Sequence, residues 1–495
     1  MARRDARHGT RRRRRGPGRV ALWAPPLLTL ALFGAAVAAD LSEFGPEQLG
    51  WKGADPSSDP AAVHAPGVLG LGEVPEVDAV AGEAPEGTPL ADAVRGALSG
   101  KLDRKMLGRN VVVAVADMDG EVAWSSNEGQ ITPASTTKVL TAVAALETLG
   151  PDHRFTTSVE RGAAPDEIVL VGGGDPYLSA EPVSTTAFPE RADLTTLARD
   201  AAAKLAEAGV TTVKLRYDAS LFTGPADNPK WERGYVADEV VAPISALAVD
   251  SGRDPSGWGR VEDPAKAAAT AFASALEDEG LSVGRPQEGK AEGAGTRLAS
   301  IDSAPVAQIV ERVLDVSDNE GAETLAHHVG LRVDDDGSFE GGARAVLSTL
   351  TGLGVETDRV VLHDGSGLAR GNRATAKALL QTLALAADEE HPHLRPALDG
   401  LPVAGFTGSL ASRFDVGADS GLGRVRAKTG TLTGIHLLAG TVTGADGVPM
   451  LFVAGADRVP TAKTLDARAR LDQIAAALAA CRCAEPGSGS AAASH

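Results

Sequence analysis

The chain has 495 residues, 43% apolar and 23% charged, ordinary proportions for globular protein and enough length for two or three domains with their own cores. Aromatic residues make up only 4%, which argues against stacking platforms for nucleic acid. The formal net charge is -18, and residues 1–19 carry nine arginines against one aspartate, leaving -26 on the rest. Nucleic acid and anionic membrane surfaces are therefore poor partners for the body of the protein.

The N-terminal segment reads as an export signal: a basic stretch to Arg19, an apolar run from Val20 to Ala39, and small residues Ala36-Val37-Ala38 placed for cleavage. Left uncleaved, a run of this length would serve as a membrane anchor, so signal peptide and N-terminal membrane association are both open for residues 1–39. A twin-arginine signal lacks the apolar residues that follow such a pair closely. Residues 40–89 are rich in Pro, Gly, Ala, Asp and Glu without a sustained period, as in Ala54-Asp55-Pro56-Ser57-Ser58-Asp59-Pro60. They are expected to form an acidic, extended, disordered linker.

Order is expected to begin with a helix near Leu90 to Leu102, a strand Asn110 to Ala116, a turn at Asp117-Met118-Asp119-Gly120 and a second strand through Trp124. Pro133 introduces a helix in which Val139, Leu140, Val143, Leu146 and Leu149 recur at helical spacing, so a largely buried helix presents Ser135 on its first turn. Residues 156–297 alternate strands (Glu167 to Gly172, Thr212 to Tyr217) with helices (Leu194 to Ala208, Pro264 to Glu279) and read as an inserted mixed domain.

After Ala304 a helix runs to Asp315, the turn Ser317-Asp318-Asn319 follows, and a further helix continues through His327-His328. The loop from Leu362 to Leu368 precedes a helix near Thr375 to Ala386. Strands are then predicted at Arg424 to Lys428, Ile435 to Val442 and Pro449 to Gly455, followed by a helix from Ala462 to Ala480. Three consecutive antiparallel strands between terminal helices imply a sheet completed by the N-terminal hairpin. The catalytic domain is accordingly discontinuous, 90–155 and 298–482, and the insert must leave and rejoin it with its ends close together. Residues 483–495 read as a disordered tail. Cys481 and Cys483, the two cysteines, are expected to be incidental thiols whose spacing discourages a mutual disulfide.

Ser135-Thr136-Thr137-Lys138 sets a hydroxyl and an amine one helical turn apart, so the amine can take the hydroxyl proton. Alone the pattern is cheap. Its weight comes from Ser317-Asp318-Asn319 and Lys428-Thr429-Gly430 downstream, because this ordered trio is the signature of penicillin-binding proteins and class A β-lactamases. Acyl transfer on an amide needs a nucleophile, a base, oxyanion donors and groups that hold the substrate. Ser135 is the candidate nucleophile, and Lys138, desolvated in a cleft beside another cation, the base. Ser317 would relay a proton to the leaving nitrogen, and Asn319 suits the substrate's peptide bond. Lys428 and Thr429 would bind a carboxylate, with Gly430 letting the substrate backbone lie against the strand edge. The backbone N–H groups of Ser135 and Thr431 would form the oxyanion hole.

No cofactor is called for. The material for a metal site, His327-His328, His363-Asp364 and His391-Pro392-His393, has neither a helical i, i+4 pair nor a Cys/His ligand spacing.

Over about residues 90–480 the chain resembles the low-molecular-mass penicillin-binding proteins of the D-alanyl-D-alanine carboxypeptidase/endopeptidase type, the penicillin-binding protein 4 group. Beyond the trio, the likeness is carried by Gly172-Gly173-Gly174-Asp175-Pro176, Asp218-Ala219-Ser220-Leu221-Phe222, Asp364-Gly365-Ser366-Gly367-Leu368, and Leu401-Pro402-Val403-Ala404-Gly405 with Gly408-Ser409-Leu410. Several of these read as glycine-rich turns with a structural role; Asp364 and Ser366 would line the cleft without being catalytic. The resemblance implies an α/β (α+β) fold of the penicillin-binding and serine β-lactamase kind: an antiparallel sheet flanked by helices, a helical subdomain, and the inserted domain. It further implies a hydrolase of peptidoglycan stem peptides that removes a terminal D-alanine or cuts D-alanyl crosslinks through an acyl-enzyme at Ser135. Covalent inhibition by β-lactam antibiotics belongs to the same implication.

Two readings compete. A serine β-lactamase shares the nucleophile and the cationic motif, but no Glu-x-x-Leu-Asn segment stands between Ser317 and Lys428. A noncatalytic wall-binding protein would keep the fold, yet every proposed catalytic side chain is present.

Overall fold

The computed structural model describes residues 87–291 and 296–484, so the expected export signal and nearly all of the linker lie outside the described residues. In chain order the first elements are α1 (Ala91–Ala97), β1 (Asn110–Ala116), β2 (Val122–Ser125) and α2 (Thr137–Leu149). Next come β3 (Thr156–Arg161), β4 (Glu167–Val171), α3 (Leu194–Glu207), β5 (Thr212–Asp218), α4 (Pro264–Asp278) and β6 (Arg297–Asp302). The remainder holds α5 (Val306–Val316), α6 (Asn319–Asp334), α7 (Phe339–Gly352), α8 (Ala376–Ala387), β7 (Val425–Leu432), β8 (Ile435–Thr443), β9 (Pro449–Asp457) and α9 (Thr464–Ala479).

The first sheet runs β7-β8-β9-β1-β2, antiparallel throughout, so the N-terminal hairpin does complete the three C-terminal strands. The register places Asn110 opposite Asp457 and Lys428 opposite Ala439. Nearly every residue of β1 is apolar because both faces of the sheet are covered. Val112, Ala114 and Ala116 enter the core shared with α2, α5 and α8, whereas Val111, Val113 and Val115 enter the one shared with α1 and α9. At roughly 25 cal/mol per Å2 of apolar surface removed from water, this two-sided burial is the main stabilising contribution to the domain. α2 is the central helix: all ten residues from Thr137 to Leu146 are buried, Lys138 among them.

A second sheet is built from residues 156–302. β4 and β5 pair in parallel, as they must when α3 carries the chain across between them. β3 and β6 pair antiparallel with Thr156 opposite Asp302, so the chain enters and leaves this sheet through neighbouring strands. Ser303 closes the neck: its N–H donates to the Phe155 carbonyl, and its hydroxyl accepts from the Phe155 N–H. Between β5 and α4 the segment 219–249 forms no strand ladder. Side chains pin it instead: Asn228 Nδ2 donates to the His363 carbonyl, Trp231 Nε1 to Asp364 Oδ2, and the Ala242 N–H to Glu320 Oε1. Val241 and Ile244 pack with Phe339 and Leu368 beneath it.

The cysteine expectation is corrected. Cys481 and Cys483 are bonded to each other, with Cα atoms 5.1 Å apart. After α9 the chain is neither helix nor regular strand, and residues two apart in an extended chain share a face, so a modest bend brings the sulfurs together. The tail also does not begin at Cys483. That residue is fully buried, its carbonyl accepts from the Leu90 N–H, and Ala484 donates to Asp446 Oδ2. Among the described residues no helix is long and apolar enough to cross a membrane.

Candidate active site

Ser135 lies on a short 3-10 turn, Ala134–Thr136, that runs directly into α2. Ala134 adopts a positive φ of 47°, which tips the next residue out of the helical path and toward the cleft. The loop 364–372 backs this turn. A Cβ on Gly367 would sit 1.9 Å from the Ala134 carbonyl oxygen, and φ there is +86°, so only glycine fits.

Lys138 follows one turn later with no exposed surface. Its Nζ has three partners: Ser135 Oγ at 3.1 Å, Asn319 Oδ1 at 2.8 Å and the Ser366 carbonyl at 2.7 Å. Burial pulls its pKa down to about 8, against the pull of the Glu323, Asp364, Asp318 and Glu320 carboxylates. Desolvation, expected for a lysine in the cleft, is the largest cause of the depression, and the four carboxylates work the other way.

The Ser317-Asp318-Asn319 turn joins α5 to α6. Ser317 ends α5 in a left-handed conformation (φ 63°), and the Asp318 side chain caps α6 by accepting from the Gly321 N–H. Asn319 is the first residue of α6. Its Oδ1 accepts from Lys138 Nζ and its Nδ2 donates to the Val240 carbonyl, so the amide ties Lys138 to the segment 219–249.

β7 brings the third motif alongside. Lys428 is fully buried and donates to the Thr429 carbonyl; burial and, next, the charge of Lys138 hold its pKa well below the usual lysine range. Thr429 donates its hydroxyl to Ser409 Oγ at 2.9 Å. Gly430 has a packing reason to be glycine. A Cβ there would lie 2.7 Å from the Pro133 carbonyl oxygen and 3.2 Å from Thr136 Cγ2, so the residue lets the turn that carries Ser135 pack against β7. Thr431 is exposed at the end of the motif.

Members of all three motifs meet in a cleft of about 500 Å3 lined by Ser135, Ser317, Asn319, Thr429 and Thr431, with Glu232, Tyr235 and Val240 of the segment 219–249 forming a further wall. That wall was not legible in the sequence: Glu232 bonds Arg370 at 2.6 Å and accepts from the Tyr235 hydroxyl at 2.9 Å. Asp364 and Ser366 do not line the cleft. Both are fully buried behind Lys138, where Asp364 accepts from the Gly367 and Ala369 N–H groups, Asn372 Nδ2 and Trp231 Nε1. A larger groove of about 790 Å3 runs along β2 and α8, but its lining includes none of the three motifs.

Of the histidines weighed as metal ligands, His327 and His328 are buried among packed side chains. His328 stacks on Phe155 with ring centroids 3.7 Å apart and bonds the Gly174 carbonyl; burial pushes its pKa down to about 3. His393 bonds Glu147 at the surface. Among the described residues no three His, Cys, Asp or Glu side chains converge as a metal site would require.

A five-stranded antiparallel sheet between helices, with a serine and a buried lysine at the head of the central helix, defines a serine acyl-transfer enzyme of the penicillin-binding class. The model of the D-Ala-D-Ala carboxypeptidase 3 (S13) family matches residues 94–256 and 253–478, and the chain belongs to that family. Carboxypeptidase DacB of Mycolicibacterium smegmatis is 35% identical over 437 residues, covering 86% of this chain and 90% of that protein. A carboxypeptidase of Mycobacterium tuberculosis is 36% identical over 403 residues, 79% of this chain and 84% of that one. The D-alanyl-D-alanine carboxypeptidase of an Actinomadura strain is 30% identical, with 72% and 77% covered. Among solved structures, penicillin binding protein 4 of Haemophilus influenzae shares the fold at a TM-score of 0.63 and 22% identity, over 77% of this chain and 97% of that one.

Proposed function

We propose that this protein is a serine-type D-Ala-D-Ala carboxypeptidase that acts on peptidoglycan stem peptides through an acyl-enzyme at Ser135 and is acylated there by β-lactams. The observation that carries the reading is the bonding at Lys138 Nζ. Two of its partners, Asn319 Oδ1 and the Ser366 carbonyl, can only accept, so a neutral amine gives them its two N–H groups and turns its lone pair to the Ser135 hydroxyl. Proton transfer from Ser135 then needs no rearrangement of the base.

In the forward direction Ser135 Oγ attacks the carbonyl carbon of the penultimate D-alanine while its proton passes to Lys138. The Ser135 and Thr431 backbone N–H groups receive the oxyanion. Lys138 passes on the Ser135 proton by way of Ser317, whose hydroxyl gives its hydrogen to the leaving nitrogen as it takes the one from Lys138. Lys138 is neutral again as the C–N bond breaks and terminal D-alanine departs. Lys428 and Thr429 hold its carboxylate, an anion that favours the charged form of Lys428 at the moment of binding. Water then attacks the ester carbonyl as neutral Lys138 takes one of its protons, and Lys138 gives that proton to Ser135 Oγ as the ester C–O bond breaks, which regenerates the enzyme. With Asn319 bonded at both ends, its part in this scheme is to hold Lys138 and the cleft wall.

The site acts on the wall side of the cell. The residues 1–39 deliver it there as a cleaved signal or keep it at the membrane as an anchor, and D-alanyl crosslinks are a second substrate of the same chemistry. Mass spectrometry of muropeptides incubated with the purified protein tests the reading. Loss of one D-alanine from pentapeptides is expected, abolished in Ser135→Ala; unchanged pentapeptides would contradict it.

A further inference from the structure

Glu323 takes no part in the chemistry just described, yet it stands directly behind it. It lies one helical turn beyond Asn319 on α6, fully buried. Its oxygens accept from consecutive backbone N–H groups, Oε2 from Gly365 at 3.0 Å and Oε1 from Ser366 at 2.8 Å. From the other side α2 holds the same two residues: Thr141 Oγ1 donates to the Gly365 carbonyl and Lys138 Nζ to the Ser366 carbonyl, both at 2.7 Å. A carboxyl group facing an N–H with each oxygen is best served by its ionised form, because neither oxygen then carries a competing hydrogen.

We infer that Glu323 is a positioning residue for the Lys138 base: its grip on Gly365 and Ser366 fixes the carbonyl that aims Nζ at Ser135, and its charge sets the pH at which that amine becomes free to accept a proton. The inference rests on the reading of Ser135 and Lys138 as nucleophile and base. Charges face the pair from every neighbouring element. Asp318 and Glu320 stand at the start of α6, Glu320 paired with Arg260 of the segment before α4 at 2.8 Å; Asp364 comes from the loop and Lys428 from β7. His327, on α6, bonds the Glu323 carbonyl through Nδ1 and is held by burial at about 4. Of the carboxylates that oppose the desolvation of Lys138, Glu323 acts most strongly, ahead of Asp364. Burial and then Asp364 push Glu323 itself up to about 8, against the two N–H donors and into the range of Lys138, so the two groups titrate as a pair and the acid limb belongs to that pair.

The test is the second-order rate of Ser135 acylation by a fluorescent penicillin between about pH 5 and 10, in wild type, Glu323→Gln and Glu323→Asp, with Ser135→Ala as the blank. Glu323→Gln removes the charge and turns an NH2 toward a backbone N–H. It is expected to move the acid limb down by about one pH unit, a tenfold change in the Lys138 proton equilibrium, and to lower the plateau. Glu323→Asp keeps the charge but is one methylene short of reaching both N–H groups. The limb is expected to stay and the plateau to fall. A limb that stays in the Gln variant, or moves in the Asp variant, overturns the inference, since loss of a mere loop anchor would lower the plateau alone. If the Gln variant does not fold, Glu323→Met supplies the uncharged arm at similar volume: a limb that moves down with a lowered plateau supports the inference, and an unmoved limb refutes it. Absence of acylation in the wild type is a different result and strikes the functional reading itself.

Discussion

The acylation rate of the wild-type protein should depend on pH through Lys138, with a shape the structure fixes. The base must be neutral to accept the Ser135 proton, and burial lowers its pKa from 10.5 to about 8. About one molecule in ten then carries the neutral amine at pH 7, about one in a hundred at pH 6, and nearly all above pH 9. The rate should rise about tenfold per pH unit up to about pH 7, bend near 8 and level above. A lysine with its ordinary pKa would place the bend more than two units higher. The stability sign follows from the same shift: the folded pKa lies below the unfolded one, so the unfolded chain holds an extra proton between about pH 8 and 10.5. The cost of burying the cation, on the order of 3 kcal/mol, is fully present below pH 8 and disappears as pH rises through that window. Stopped-flow acylation by a fluorescent penicillin from about pH 5 to 10, at saturating ionic strength, reads the limb directly. Lys138→Met should lower the plateau by about 10^2 to 10^4 and abolish the limb. A flat wild-type profile, or a bend below pH 6, would refute Lys138 as the base.

Other substitutions probe the frame around the pair. Gly367→Ala should cost about 10^2 in acylation with the protein still folded, since a Cβ 1.9 Å from the Ala134 carbonyl must push the Ser135 turn aside; a wild-type rate would show that this close approach does not set the nucleophile. Arg413 and Asp472 form a buried bidentate pair joining the 408–414 turn to α9. Arg413→Ala leaves Asp472 buried without its cation and should lower unfolding free energy by about 3 to 5 kcal/mol in urea titrations, whereas a change within 1 kcal/mol would mean water replaces the guanidinium. A penicilloyl adduct should persist long after free drug is removed. Rapid nitrocefin turnover would favour the β-lactamase reading, against which the absence of a Glu-x-x-Leu-Asn segment already counts.

What the sequence revealed was local chemistry and the alternation of elements. Ser135 and Lys138 share a helix turn, so their meeting needs no tertiary knowledge, and β1, β8 and β9 announce themselves as apolar runs bounded by turns. What stayed hidden depends on contacts between distant segments. The cleft wall with Glu232 and Tyr235 belongs to a stretch without strand or helix period, held by single side-chain bonds to residues more than a hundred positions away. The close approach of Pro133 to Gly430 stayed hidden because nothing in the sequence places the two together. The bond between Cys481 and Cys483 was missed because residues two apart were taken to point to different sides, whereas in an extended chain they share a face. Glu323 did leave a trace: an acid in the buried run Gly321–Gly330, four residues after Asn319, is an anomaly that asks for a partner.

The central claim is that Ser135 becomes acylated, and intact-protein mass spectrometry with peptide mapping after incubation with penicillin tests it most directly. One adduct with the mass of the opened drug is expected, on the peptide containing Ser135, and none in Ser135→Ala. An adduct on another residue, or one that survives in Ser135→Ala, would contradict the account.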